Sequence, residues 1–201
     1  MTVSLHPVLN QSLMGPRICL DPVTPEDLPS LWQKLSWNYM RYQLGHVPFD
    51  EKAYAASVWE PHASGQKVTY VVRSETGEVV GTSSFLDIRT ANRGLEIGST
   101  WLHESVWGTH VNPEVKYLML RHAFEEWNAV RVQLKTDSRN EHSQAAIIKL
   151  GATREGVLRH HVVMNDGHLR DTVMFSILAH EWPSMRDRLL ERMKRRTELQ
   201  P

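Results

Sequence analysis

The segment Trp107-Gly108-Thr109-His110-Val111-Asn112-Pro113 runs straight into a helix-forming stretch, and that junction could hold an anion. A helix start collects backbone N–H groups without intrahelical partners and about half a unit of positive charge, which together attract phosphate or carboxylate. A glycine in the approach lets the main chain come close to such a group. The same residues also suit a plain strand-to-helix connection, so the loop alone leaves both readings open. A second candidate is Glu96, which interrupts the apolar run Leu95-Glu96-Ile97. A carboxylate in such surroundings is placed to take a proton as a general base, or else it makes a structural hydrogen bond or lies on an open strand face.

Those residues need elements to position them. Arg17 to Leu20 reads as a first strand. "TPEDLPSLWQKLS" opens a helix, with Thr24 as cap, Pro25 at the first helical position and Asp27 three residues beyond the cap. "DEKAYAASVWEPH" predicts a second helix ending near Pro61. Three strand-like runs follow, "KVTYVVRS", "EVVGTSSFLDIR" and "GLEIGSTWL", joined by hairpin turns at Glu75-Thr76-Gly77 and at Thr90 to Arg93. After the loop, Asn112 can cap a helix with Pro113 in its first turn. Val115, Leu118, Met119, Leu120, Ala123, Phe124 and Trp127 form its apolar arc, with Glu114, Arg121 and Glu125 opposite.

"AVRVQLKTDS" alternates, with Val130, Val132 and Leu134 on one face and Arg131, Gln133 and Lys135 on the other. "NEHSQAAIIKLGA" is a helix with Asn140 as cap and Gly151 as stop. "VLRHHVVMNDGHLRDTVMFSIL" is a hairpin turning at Asn165-Asp166-Gly167, and "EWPSMRDRLLERMKRR" predicts a basic, exposed terminal helix. This order predicts an α/β layer protein with a mixed sheet. An N-terminal arm would occupy residues 1–16, one domain residues 17–182, and the C-terminal basic helix residues 183–201.

The 201 residues suffice for one substantial core, and 41% hydrophobic with 23% charged residues is ordinary for a soluble globular chain. Lysine plus arginine equals aspartate plus glutamate, 23 each, which argues against nucleic acid or a membrane surface and for small ligands. Cys19 is the only cysteine, so neither an internal disulfide nor a cysteine zinc site can form. The 11 histidines are scattered, and neighbours His160 and His161 would point to opposite faces of a strand, so no metal is expected. With no leader and no apolar run near membrane-spanning length, a cytoplasmic location is expected.

Taken in order and spacing, "GLEIGSTWLHESVWGTHVN", "RVQLKTDSRNEHSQAAIIKLGATREGVLR" and "NDGHLRDTVMFSIL" resemble the GNAT superfamily of acyl-CoA-dependent N-acetyltransferases. The likeness is strongest to the branch of ribosomal-protein N-terminal (alanine/serine) acetyltransferases, and covers about residue 17 to residue 182. It implies a GNAT-like mixed, splayed central sheet of about seven strands flanked by helices, plus a C-terminal helix. The splay would follow the strand of Glu96 and open a cleft for acetyl-CoA. Main chain around Trp101 and Leu102 would pair with the pantetheine arm. The amides of Trp107, Gly108, Thr109, His110, Val111 and Asn112 would cradle the pyrophosphate.

The resemblance further implies that Asn140 contacts pantetheine and that Ser143 lies near the sulfur, where its hydroxyl can act as general acid. Helix capping is the competing role of both. Glu96 stands where the family often has an acid and is the candidate base. The acceptor would be a primary amine, on a protein or peptide N-terminus or a small molecule, attacking directly in a ternary complex. The other class of reading is a CoA-binding regulatory or interaction protein. His110 departs from the family's glycine, and at a positive-φ site its side chain would cost about 1 kcal/mol. Val162 stands where the ribosomal-protein enzymes carry a glutamate, and Phe175 where relatives often have tyrosine. Asp171 either binds an amine or pairs within its strand. Trp32, Trp37, Tyr39 and Tyr42 fall in a segment that walls the acceptor pocket in relatives, where aromatics suit an amine cation or a core. Relatives often dimerise through their C-terminal strands, so a homodimer is possible.

Overall fold

The computed structural model describes residues 8–35, 50–164 and 166–198. Trp37, Tyr39, Tyr42 and Asn165 lie outside the described residues. Among the described residues, eight strands form one sheet in the order β1-β2-β3-β4-β5-β6-β8-β7. They are β1 (Leu13–Met14), β2 (Ile18–Pro22), β3 (Val68–Ser74), β4 (Val79–Arg89), β5 (Gly94–Leu102), β6 (Arg131–Asp137), β7 (Thr153–Val163) and β8 (Leu169–Leu178). Every neighbouring pair is antiparallel except β5 with β6, which is parallel because a helical crossover connects them. The strand beyond the expected seven is β1, inside the expected arm. It pairs with β2, and Leu9 and Leu13 around it are buried in the main core.

Among the described residues, five α-helices flank the sheet: α1 (Leu28–Gln33), α2 (Glu51–Ala63), α3 (Val111–Arg121), α4 (Glu141–Leu150) and α5 (Trp182–Glu198). A 3-10 turn, Pro25–Asp27, leads into α1 through the Thr24–Asp27 capping box. Helix α2 ends at Ala63, close to the expected Pro61, which lies in its last turn. Proline removes the donor for the carbonyl four residues back, which is that of Ser57. The Lys67 ammonium supplies the missing donor at 3.2 Å.

Helices α3, α4 and α5 share the main core, while α1 and α2 pack with Val71, Val79 and Trp101 in a second cluster. Three expectations are corrected here. His110, not Asn112, is the N-cap of α3, so Asn112 and Pro113 sit at its second and third positions. Glu114 is not on an open face but fully buried, accepting the amides of Arg17 and Ile18 at 2.9 and 3.3 Å and facing the Arg17 guanidinium at 3.5 Å. Finally, α5 is not simply exposed. Trp182, Met185, Leu189 and Met193 line one buried stripe of it, and Trp182 stacks on Phe124.

Strand β5 changes faces along its length. Leu95 and Ile97 belong to the main core, whereas Trp101 belongs to the second cluster, although uninterrupted alternation would keep all three on one side. An extra residue makes the difference. Ser84 pairs with Gly98 and Thr82 with Trp101, so three steps on β5 oppose two on β4, and Ser99 adopts φ 46°.

Candidate active site

The parallel pairing of β5 with β6 lasts for three rungs, Gly94 with Arg131, Leu95 with Val132 and Glu96 with Gln133. Beyond them β6 stays paired to β8 as far as Asp137, and β5 stays paired to β4 as far as Leu102. The edges that face each other there are no longer paired to one another, and a ligand amide can enter between them as an added strand would. Exposure marks the opening: Gly94 to Ile97 are buried, Gly98 is half-buried and Ser99 is exposed.

At the far end of this gap β5 leads through a short 3-10 turn, Glu104–Val106, to the loop and α3. The Trp107 amide donates to Glu104 O at 3.0 Å, that of Thr109 to Val106 O at 3.4 Å, and that of Val111 to Thr109 Oγ1 at 3.3 Å. The amides of Gly108 and Asn112 reach no acceptor among the described residues. Gly108 has φ +75° with open space where a Cβ would stand, so the left-handed position that requires glycine is Gly108. His110 has φ −69° and ψ −19°, ordinary helical values, and the strain foreseen for it is absent. Apart from the Thr109 hydroxyl on the Val111 amide, the start of α3 has no side-chain cap among the described residues. The geometry fits an anionic diphosphate at the open amides.

Helix α4 begins across the gap. Asn140 Oδ1 accepts the Ser143 amide at 3.0 Å, so Asn140 does cap its helix, while the Ser143 hydroxyl makes no hydrogen bond among the described residues. Trp107, 51% exposed, donates its indole N–H to Leu102 O at 2.8 Å, and its ring lies 6.0 Å from that of His142 on α4. The loop thus reaches over to the opposite helix, and one lone pair of the Leu102 carbonyl is already occupied.

On the sheet face that carries α1 and α2, Glu96 is 2% exposed. Lys135 Nζ lies 2.9 Å from its carboxylate and Gln133 Nε2 donates to it at 3.2 Å. Gln133 also bonds Asp87 and Arg89, each at 3.2 Å. Nearby, buried Asp137 is held by Arg139 and faces Arg170 at 3.9 Å. Burial raises the Asp137 carboxyl's affinity for a proton, but the hydrogen bonds and charge of Arg139 outweigh it and bring the pKa below the usual value. The alternation of β6 had placed Gln133 and Lys135 on a polar face without marking them as partners of Glu96. Asp171 Oδ1 accepts the His160 amide at 2.7 Å, supporting a bulge where His160 has φ 49°, so its pairing is within the hairpin. Phe175 is fully buried in the main core, and Val162 pairs with Arg170. Trp32 packs on the second cluster, its ring 5.7 Å from Tyr54. Among the described residues no three His, Cys, Asp or Glu side chains gather to hold a metal ion.

The acetyltransferase (GNAT) domain model matches residues 17–153. An uncharacterized N-acetyltransferase, p20 of Bacillus licheniformis, is 27% identical over 177 residues, 86% of this chain and 98% of that protein. A crystal structure from T. thermophilus, provisionally assigned as an acetyltransferase, is 36% identical with TM-score 0.83, covering 91% of this chain and 97% of its own. Mycobacterium smegmatis RimJ in complex with CoA-disulfide has TM-score 0.76 at 23% identity, covering 92% of this chain and 95% of its own; that likeness is one of fold. A parallel pair that parts after three rungs, a helix start left open at the end of the gap and these matches agree: the chain belongs to the GNAT family of acetyltransferases, whose fold uses acetyl-CoA.

Proposed function

We propose that this enzyme transfers the acetyl group of acetyl-CoA to a primary amine, on a protein or peptide N-terminus or a small molecule, by direct attack within a ternary complex. The observation that carries this is the parting of β5 from β6 after the Glu96 rung, with uncapped α3 at the end of the same gap. The diphosphate is held by the open amides of Gly108 and Asn112 and the start of α3, with His110 beside it. The pantetheine arm lies along the β5 edge near Trp101 and Leu102, with Asn140 and Ser143 on its other side. RimJ's complex with CoA-disulfide supports a CoA group in this fold.

The acceptor comes from the α1–α2 face. Glu96, held in place by Lys135 and Gln133, takes the proton that the attacking amine releases. The Ser143 hydroxyl, unengaged among the described residues, hydrogen-bonds to the thiol side of the reaction. Among the described residues no helix is long and apolar enough to cross a membrane; the proposed location is the cytoplasm. The outer edge of β7, exposed along most of its length, is the surface for the homodimer.

Thiol release from acetyl-CoA against a panel of small amines and N-terminal peptides tests the reading. Turnover is expected with at least one acceptor, reduced in Glu96→Gln mainly below the amine's pKa and in Ser143→Ala at every pH. Tight binding of acetyl-CoA without transfer to any amine would instead favour a CoA-binding regulatory protein.

A further inference from the structure

On the face of β5 opposite Glu96 lies a chain of side chains that the roles above leave unused. Lys116, in the second turn of α3, donates from Nζ to Thr100 Oγ1 at 2.7 Å, and Thr100 Oγ1 is 2.7 Å from Ser83 Oγ. Thr100 belongs to the β5 bulge; it is half-buried, next to exposed Ser99, where β5 has already left β6. No carboxylate pairs with Lys116 among the described residues. On its own helix Glu114 is engaged by Arg17, and Arg121 lies over the Tyr117 ring at 5.6 Å. On the strands beneath, the groups facing it are the hydroxyls of Thr100 and Ser83, while Glu96 is on the other face with Lys135. Burial pushes the Lys116 amine down to about 7.

An ammonium that donates to the Thr100 oxygen leaves the hydroxyl's own proton free to point onward and makes it a stronger donor. Within the protein its targets are Ser83 Oγ and the Gly98 carbonyl, the latter at 3.5 Å. We infer that Thr100 and Lys116 form a proton relay serving the sulfur that leaves in acetyl transfer. This rests on the placement of the pantetheine arm along the β5 edge given above. As the amine nitrogen bonds to the acetyl carbon, the carbon–sulfur bond breaks and its electron pair stays on sulfur. Thr100 passes its hydroxyl proton to that sulfur, and Lys116 passes one of its protons to the Thr100 oxygen. The products are a free thiol, an intact threonine and a neutral lysine, which regains a proton from solvent. Thr100 is the residue that touches the sulfur, and Lys116 is a positioning residue acting through it. A lysine that titrates near neutrality can be loaded and unloaded in each turnover.

The test measures kcat against pH, with an acceptor from the amine panel, beside the calorimetric Kd for acetyl-CoA. Lys116→Met and Thr100→Val are each expected to keep Kd within about threefold while kcat falls about 100-fold, the range of a lost general acid. The alkaline decline in the parent's kcat, where Lys116 loses its proton, should vanish in Lys116→Met. Lys116→Arg keeps charge and hydrogen bond but does not release a proton, so Kd should again stay within about threefold while kcat remains as low as in Lys116→Met. Parent-like kcat with an unchanged alkaline limb in Lys116→Met, or full rescue by Lys116→Arg, would overturn the relay. If Lys116→Met does not fold, Thr100→Val decides alone, since it spares the lysine. A parent that acetylates no amine removes the functional reading first, and the relay with it.

Discussion

Two helices start on either side of the gap, and they start differently. At α4 the sequence closes its own helix: Asn140 accepts the Ser143 amide at 3.0 Å. At α3, among the described residues, a side chain engages only the first amide, through Thr109, and the Gly108 and Asn112 amides find no acceptor. A cap contributes about 1 kcal/mol, so leaving one out is a cost to folding that an anion at the open start can offset. On the proposed function, the closed helix serves the fold and the open one is kept for the diphosphate.

The comparison breaks most sharply at Asn112. A carboxylate there would face the proposed diphosphate and should weaken acetyl-CoA binding about 10- to 100-fold at low salt, measured by calorimetry. The same charge favours the positive end of α3, so Asn112→Asp should raise folding stability by about 0.5 kcal/mol in urea melts. Opposite signs in the two measurements are the signature. Weakened affinity together with lost stability would mean simple damage. Asn140→Ala sharpens the other side. It should lower stability by about 1 kcal/mol while acetyl-CoA affinity changes by no more than about threefold. A large loss of affinity would show that Asn140 is a ligand contact first and a cap second. The smallest effect is expected for His110→Gly. Since His110 is already helical at φ −69°, glycine relieves no strain and, as an N-cap, changes stability by only about a few tenths of a kcal/mol. Affinity should stay level or tighten, and a large loss would make the imidazole itself a phosphate ligand.

Much of α4 was legible in the sequence because its signals are local: asparagine before the helix and glycine after it. The start of α3 was not. Asn112 and Pro113 mark a start in the sequence, but the turn closed by Thr109 Oγ1 on the Val106 carbonyl at 2.7 Å brings His110 into position first. Glu114 read as a solvent-facing residue because helical periodicity cannot show that the β1–β2 turn lies over it and brings two amides within reach. In α5 the charged residues between Trp182, Met185, Leu189 and Met193 obscured a buried stripe. Of the strands that frame the gap, β6 followed from alternation and β5 from its residue types and flanking turns. Their parting did not follow from either, since alternation says which face a side chain takes and not where two strands separate. For that reason Lys135 and Gln133 were seen as polar positions, and Lys116 with Thr100 as nothing at all.

The most direct measurement compares two fragments of the cosubstrate by calorimetry, S-acetylpantetheine and S-acetyl-4′-phosphopantetheine, which differ by one phosphate. Two charge-assisted hydrogen bonds at the open helix start predict that the phosphorylated fragment binds at least about tenfold more tightly, with the advantage shrinking as salt is added. Equal dissociation constants for the two would contradict a phosphate site at α3.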